Sequence, residues 1–170
     1  MPDKDVRENR LTSANRLLDA TKAAVKVADQ LLEQAAGQDS GEQQASLGQA
    51  SYQLGDYAAA RKHLTAAFAL TDSADTAIRL ALTEWRAGDL DAAEEWAQRA
   101  IELDPEGRYK PHIAESNPSY CAVLAEIQLR QGNVAAAEAS ATAALSIDGS
   151  DVTALTVLST THLARGNSDQ

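Results

Sequence analysis

The chain has 170 residues, a formal net charge of −10 and one cysteine, and it is long enough to bury a hydrophobic core in one domain. Nucleic acids and acidic membranes carry the same sign of charge, so the composition argues against non-specific binding to either. No apolar run approaches the length of a membrane span, and the charged N-terminus lacks the apolar core of a signal peptide. We therefore expect a cytoplasmic protein without an intrachain disulfide.

The first predicted element is a long helix over residues 6–36, because this stretch contains no proline or glycine. Apolar residues recur there at alternating three- and four-residue steps from Leu11 to Leu32. The alternative is a helical hairpin that has lost its turn glycine. We assign residues 1–36 to an N-terminal helix that packs on the rest of the chain. Alternatively, this helix mediates self-association between two copies of the chain.

A short sequence pattern then occurs three times. A glycine is followed two residues later by an aromatic or aliphatic residue, and by an alanine three residues after that. The matches are Gly55/Tyr57/Ala60, Gly88/Leu90/Ala93 and Gly132/Val134/Ala137. The three glycines are 33 and 44 residues apart, and a fourth follows 34 residues later. Glycine permits a tight turn, and a period of this length predicts stacked helical hairpins.

This pattern resembles that of the tetratricopeptide repeat (TPR) family, in which a glycine ends the first helix of each hairpin. The resemblance covers roughly residues 41–166. It implies an all-α fold, a right-handed superhelix of stacked helical hairpins with an N-terminal helix and a C-terminal capping helix. Small residues are expected where the paired helices cross closely, at Gly48, Ala81 and Ala125.

Repeat boundaries follow from the turn glycines. The three repeats are expected at 41–73, 74–107 and 118–151, and the capping helix at 152–165. A polar inserted loop at 106–117 lengthens the interval before the third repeat by about ten residues. This loop is expected at the surface, where it either covers one end of a groove or contacts a partner, or is merely a tolerated insertion.

Residues that could carry chemistry form no recognisable catalytic motif. The sequence contains no Gly-rich phosphate loop, no His-Glu-x-x-His helix and no Gly-x-Ser-x-Gly elbow. The histidines are His63, His112 and His162. They are not expected to converge with carboxylates, so no metal site and no cofactor are predicted. Cys121 is interpreted as a small buried residue and not as a nucleophile, and Glu94 and Glu95 as part of a solvated helix face.

One position of the repeat is unusually polar. Four residues before each turn glycine, where the family commonly has tyrosine, the chain has Ser51, Glu84, Gln128 and His162. In a stacked array these side chains would form a column that is either solvated or internally hydrogen-bonded. We predict that the chain is not an enzyme, and the alternative is an enzyme built around Glu84, Gln128 and His162.

The resemblance also assigns ligand-binding residues, because the first helices of TPR hairpins line a concave surface. The residues assigned to it are Gln49, Tyr52, Gln53, Arg79, Leu82, Trp85, Arg86, Glu126, Leu129 and Arg130. Arginine and aromatic side chains dominate interface energetics. We expect this groove to bind a peptide segment of another protein that carries acidic and apolar residues. The alternative is that Trp85 and Leu129 pack beneath the inserted loop or the N-terminal helix.

The expected function is thus that of a protein-interaction module or adaptor. One TPR subclass binds the carboxyl ends of chaperones through lysines and asparagines. That set is not present here, where the corresponding positions include Ala45, Gln49 and Arg79. Secretion chaperones for translocator proteins have a similar size, acidity and layout and are the alternative function. A self-associating scaffold is a further alternative.

Overall fold

The computed structural model describes residues 15–16, 18–19, 21–23, 25–27, 40–109 and 117–168 of the chain. The helices with defined bounds are α1 (Gly41–Gln53), α2 (Tyr57–Thr71), α3 (Ala74–Ala87), α4 (Leu90–Leu103), α5 (Tyr120–Arg130), α6 (Val134–Ile147) and α7 (Val152–Ser168). Within the described ranges the only β-type pairing is one isolated bridge. The chain divides into two compact units, Met1–Leu70 and Thr71–Gln170.

The three glycines of the repeated pattern have a left-handed backbone, whereas the fourth, Gly166, lies within α7. The φ angles are 75° at Gly55, 92° at Gly88 and 81° at Gly132, a region that residues with a side chain rarely adopt. After α3, the amide of Gly88 donates to the carbonyl of Trp85 (3.1 Å), and the amide of Asp89 donates to that of Glu84 (2.9 Å). The final carbonyls of the helix are therefore satisfied within the turn.

The residue after each turn glycine caps the next helix. The capping bonds are Ala59 N to Asp56 Oδ1 (3.0 Å), Ala92 N to Asp89 Oδ1 (3.1 Å) and Ala136 N to Asn133 Oδ1 (3.3 Å). Asp and Asn are favoured at this position because the side-chain oxygen accepts from an otherwise unpaired amide. The Gly-Asp and Gly-Asn pairs of the sequence therefore specify both the turn and the start of the second helix.

In the Met1–Leu70 unit, α1 and α2 form one hairpin with a very close approach. A Cβ atom added to Gly48 would lie 2.5 Å from Leu64 Cγ, so the glycine makes the space that Leu64 fills. The predicted small residue at this crossing is confirmed. The described residues between 15 and 27 are helical. The remainder of the predicted 6–36 helix lies outside the described residues.

In the Thr71–Gln170 unit, α3 packs on α4, α5 on α6, and α7 contacts both α5 and α6. The interfaces consist largely of alanine. The fully buried alanines are Ala77, Ala81, Ala93, Ala97, Ala100, Ala122, Ala125, Ala137, Ala141, Ala144 and Ala154. Ile78, Leu80 and Ile127 supply the larger fully buried side chains. Small side chains let the helix axes approach closely, and dense packing of these short contacts stabilises the unit.

The base of the inserted loop is tied to the turn between α6 and α7. Arg108 pairs with Ser119 in the β-bridge, and Arg108 Nη1 lies 2.8 Å from Asp148 Oδ2. Gly107 is buried, and a Cβ there would lie 2.1 Å from the Tyr120 ring. The expectation of a surface loop over 106–117 is therefore wrong for Gly107, because the aromatic ring of α5 packs directly on its backbone.

The pairs α1/α2, α3/α4 and α5/α6 lie within the ranges 41–73, 74–107 and 118–151 that were assigned to the three repeats. The capping helix runs to Ser168, a few residues beyond the predicted end at 165. Among the described residues no helix is both long and apolar enough to cross a membrane. The middle of the inserted loop, residues 110–116, lies outside the described part of the chain.

Candidate functional site

In the Thr71–Gln170 unit, side chains from the first helices of consecutive hairpins come together at Trp85. The guanidinium carbon of Arg130, on α5, lies 4.9 Å from the centroid of the Trp85 ring, on α3. The Arg86 guanidinium lies 5.9 Å from the same centroid. Both distances are within the range of cation–π attraction. A tryptophan flanked by two arginines therefore joins α3 to α5.

Arg130 also has a carboxylate neighbour on its own helix. Its Nη2 atom lies 3.4 Å from Glu126 Oε1, and its side chain remains 56% exposed. Exposed ion pairs of this i,i+4 type contribute little free energy. The stacking on Trp85 thus holds the guanidinium in place, while the weak pairing with Glu126 leaves it open to a second carboxylate.

Next to Arg130 is a cavity of about 340 Å³ between α5 and α7. Its apolar lining includes Leu129, Val152 and Val157. Glu126 and Arg130 form part of its polar edge, together with threonines of α7. The volume is within the range of small-ligand pockets and is sufficient for an apolar side chain. An apolar recess thus lies directly beside a guanidinium with an exposed face.

We define the α3–α5–α7 strip as Trp85, Arg86, Glu126, Leu129, Arg130, Val152, Thr153, Thr156, Val157 and Thr160. Of the predicted residues, the structure therefore brings together Trp85, Arg86, Glu126, Leu129 and Arg130.

Two further predicted residues of α3 lie outside this strip. Leu82, one turn before Trp85, is half-buried. Arg79 Nε donates to Asp75 Oδ2 at 2.7 Å, and the side chain is only 14% exposed. This pairing makes Arg79 a poorer candidate for ligand contact than Arg130.

The other predicted site residues, Gln49, Tyr52 and Gln53, belong to the Met1–Leu70 unit. The ring centroids of Tyr52 and Tyr57 are 5.9 Å apart and the ring planes are tilted by 58°, a centroid distance within the range of favourable aromatic pairs. Tyr52 is thus half-buried against a neighbouring ring of the same unit.

Five residues of the strip, all on α7, are outside the set predicted as ligand contacts, namely Val152, Thr153, Thr156, Val157 and Thr160. The sequence signal existed, because α7 follows the third hairpin as another first helix would. This helix was instead predicted only as a capping helix. Treating α7 as the first helix of a further repeat would have assigned these residues to the groove.

The polar column is partly buried and hydrogen-bonded. Gln128 is 6% exposed; its Nε2 donates to Glu94 Oε1 at 2.8 Å, and its Oε1 accepts from Ser140 Oγ at 2.7 Å. The assignment of Glu94 to a solvated face is therefore wrong, since this half-buried carboxylate links α4 to α5. His162 is exposed and lies 3.7 Å from Glu138.

Two buried titratable groups of α5 are shifted toward their neutral forms. Burial raises the pKa of the Cys121 thiol, which opposes formation of the nucleophilic thiolate. Burial, with nearby Asp75 and Asp104, raises the pKa of Tyr120 to about 12. Within the described residues, no group of three or more His, Cys, Asp or Glu side chains could hold a metal ion. His112 lies outside that part of the chain.

Two family models, both described as tetratricopeptide repeat, match residues 45–108 and 118–141. Together they cover about half of the chain, and this chain belongs to the tetratricopeptide repeat family. A comparison with curated proteins found no significant match.

Solved structures with the same fold have low sequence identity. MamA is 20% identical, with a TM-score of 0.70 over 89% of this chain and 82% of MamA. The Yersinia enterocolitica type III secretion chaperone SycD, solved with a peptide of the translocator YopD, is 21% identical, with a TM-score of 0.62 over 73% of this chain and 93% of SycD.

The first TPR of Spaghetti (RPAP3), solved with an HSP90 peptide, is 12% identical, with a TM-score of 0.65 over 74% of this chain and 93% of that one. These similarities confirm the predicted fold class, an all-α TPR-like fold of stacked helical hairpins.

Proposed function

We propose that this protein is an interaction module or adaptor that binds a peptide segment of a partner protein along the α3–α5–α7 strip. The single observation that carries the proposal is the position of Arg130. Its guanidinium stacks 4.9 Å from the Trp85 ring centroid and borders an apolar cavity of about 340 Å³. A site of this kind offers one anchor for a carboxylate and one for an apolar side chain.

The ligand is a segment in which an acidic residue is close to an apolar one. The apolar side chain occupies the recess lined by Leu129, Val152 and Val157. The carboxylate accepts hydrogen bonds from Arg130, whose planar guanidinium is suited to bidentate pairing. Arg130 is already held by Trp85, so less side-chain entropy is lost on binding. Arg86, Arg79 and Leu82 extend the same face along α3.

The related structures support a peptide ligand as the class of partner. SycD was solved with a peptide of the translocator YopD, and the Spaghetti domain with an HSP90 peptide. A fold shared with both proteins makes peptide recognition the best-supported function. In the same proposal the protein is cytoplasmic, is not an enzyme and needs no cofactor.

A secretion-type chaperone is the second candidate. It is favoured by the alignment with SycD, which extends over 93% of that chain. The two candidates differ in the ligand, because a secretion chaperone holds a segment of an exported protein. Self-association through the N-terminal helix is a further proposal, and sedimentation with and without residues 1–36 tests it.

The test is selection of ligands from a displayed peptide library, followed by affinity measurements with wild-type protein. Selected peptides should be enriched in acidic residues near an apolar residue. Trp85→Ala should weaken binding by about 2 kcal/mol or more, as expected for a central anchor. Arg130→Ala should weaken binding and reduce its salt dependence.

Matched controls come from the second helix of the same hairpin. Trp96→Ala removes the other tryptophan, and Arg99→Ala removes an arginine that pairs with Asp72 and Glu102. Both controls should retain affinity. Equal losses in Trp85→Ala and Trp96→Ala would show that the strip is not the binding site.

A further inference from the structure

The Met1–Leu70 unit contains its own cavity, which takes no part in the proposed peptide site. Its volume is about 420 Å³, within the range of pockets for small molecules. Lys22, Val25 and Lys26 of the N-terminal segment line one side. Residues of the α1–α2 hairpin line the other. The cavity therefore lies where the N-terminal segment meets the first repeat.

The inner end of this cavity is polar. Ser51 is 1% exposed, and His63 is 2% exposed. Among the described residues, no group accepts from or donates to the Ser51 hydroxyl. A buried hydroxyl without a partner is costly, typically by about 1–3 kcal/mol. A ligand that supplies the missing hydrogen bond would remove that cost.

His63 has a defined orientation at the same cavity. Its Nδ1 atom lies 2.8 Å from Gln44 Oε1, and since an amide oxygen only accepts, Nδ1 carries the proton and donates. The ring is thereby fixed against the cavity wall by a buried hydrogen bond. Ser51 and His63 together form a rigid polar floor.

The outer edge of the cavity carries positive charge. Lys22 and Lys26 are exposed side chains one helical turn apart. Asp56 also lines the cavity, but its Oδ1 accepts from Ala59 N at 3.0 Å as the cap of α2. The positive N-terminal end of that helix partly offsets the charge of the carboxylate. Val25, Leu54 and Ala59 provide apolar wall between the lysines and the floor.

We propose that this cavity binds a small organic acid that carries a second hydrogen-bonding group at its far end. The acid group pairs with Lys22 and Lys26 at the edge. The apolar body contacts Val25, Leu54 and Ala59, and the far polar group bonds to the Ser51 hydroxyl. The site would be a second ligand site, separate from the peptide strip of the other unit.

Amide NMR spectra of the full chain, titrated with 4-hydroxybenzoate, test this proposal. This probe has a carboxylate, an apolar ring and a hydroxyl at the opposite end. Saturable shifts are expected at Ser51, Ala59 and His63. Benzoate lacks the hydroxyl and should bind about five-fold more weakly, as expected for one lost hydrogen bond. Phenol lacks the carboxylate and should also bind more weakly.

Variants separate the two anchors. Ser51→Ala is close to isosteric and should remove the preference for 4-hydroxybenzoate over benzoate while leaving the benzoate affinity unchanged. Lys26→Ala should lower affinity about two- to five-fold relative to Lys62→Ala, a change of equal charge on α2 outside the cavity. The proposal is overturned by an absence of saturable shifts, by shifts confined to Thr71–Gln170, or by equal affinities in Lys26→Ala and Lys62→Ala.

Discussion

The two units place different side chains at one position of the repeat, four residues before the turn glycine. Ser51 and Gln128 are both almost fully buried. Gln128 reaches Glu94 on α4 and Ser140 on α6, while the shorter Ser51 side chain has no hydrogen-bond partner within the described part of its unit. Burial at this position is therefore shared by the three hairpins, although not by His162 of α7. Whether the buried polar atom finds a hydrogen-bond partner depends on the length of the side chain.

The helix crossings differ in a similar way. In the Met1–Leu70 unit a glycine on α1 admits a leucine from α2. In the Thr71–Gln170 unit, Ala81 and Ala125 occupy the equivalent positions and are fully buried. At the glycine–leucine crossing, the contact depends on the space that the missing side chain of Gly48 leaves for Leu64. At the alanine crossings, many small side chains along both helices share the contact. We expect the first kind to be more sensitive to substitution.

Gly48→Ala tests that difference and should have the largest effect. The new Cβ would lie 2.5 Å from Leu64 Cγ, so the free energy of unfolding should fall by up to about 3 kcal/mol, as in overpacked cores. Denaturant unfolding measures the loss. Adding Leu64→Ala should make the loss smaller than the sum of the single effects, because the clash disappears. Strict additivity would contradict a steric cause.

Gly88→Val tests the turn of the other unit. The space around Gly88 is open, so the cost arises from its φ of 92° and should be about 1–3 kcal/mol. Gly88→Asn should cost less because asparagine tolerates the left-handed region better. Thermal unfolding of both variants checks this order. An unchanged melting temperature in Gly88→Val would mean that the turn accepts another conformation.

Gln128→Ala and Ser51→Ala compare the polar position directly. Removing Gln128 deletes two hydrogen bonds and should lower the free energy of unfolding by about 1–2 kcal/mol. Ser51→Ala deletes no protein hydrogen bond found in the described residues and removes a buried unpartnered hydroxyl, so it should leave the free energy of unfolding unchanged or raise it by up to about 1–3 kcal/mol. Urea unfolding of the two variants measures the contrast. Equal losses would indicate that Ser51 has a protein partner after all.

The smallest expected effect concerns Asp148, which pairs with Arg108 at the base of the inserted loop. The Met1–Leu70 unit has no corresponding insertion. Hydrogen bonds from Ser150 and from Arg108 lower the pKa of Asp148 from 3.8 to about 2. Because the folded state favours the charged carboxylate, its stabilisation is present above pH 4 and is lost as the pH falls toward 2. Comparing melting temperatures of wild type and Asp148→Asn across this range checks the prediction.

For Asp148, an exposed carboxylate such as Glu95 provides the control. Glu95→Gln should leave the acid dependence of the melting temperature unchanged. If Asp148→Asn follows the wild-type profile at every pH, neither Ser150 nor Arg108 stabilises the charged carboxylate.

Helix positions and turns were predictable because each is specified locally. Gly88, Asp89 and the apolar spacing that follows determine a turn, a cap and a helix face without reference to the rest of the chain. The crossing residue Gly48 was also predictable, since the family pattern requires a small side chain there.

The candidate site was only partly predictable from the sequence. Repeat register placed Trp85 and Arg130 on first helices, but their stacking depends on the separation of α3 and α5. Pairing of Arg79 with Asp75 and burial of Glu94 against Gln128 depend on rotamers and on neighbouring helices. The α7 residues were missed because this helix was predicted only as a cap, and Gly166 lies within it instead of ending it.

The closure of the inserted loop at its base has a practical consequence. The amide of Tyr109 donates to the carbonyl of Pro118 at 2.9 Å, so the chain leaves and re-enters the stack at one point. A change of sequence between these two residues should therefore not alter the packing of the helices. An epitope tag, a fluorescent reporter or a second folded domain could be genetically inserted there, and the helices on either side should keep their register.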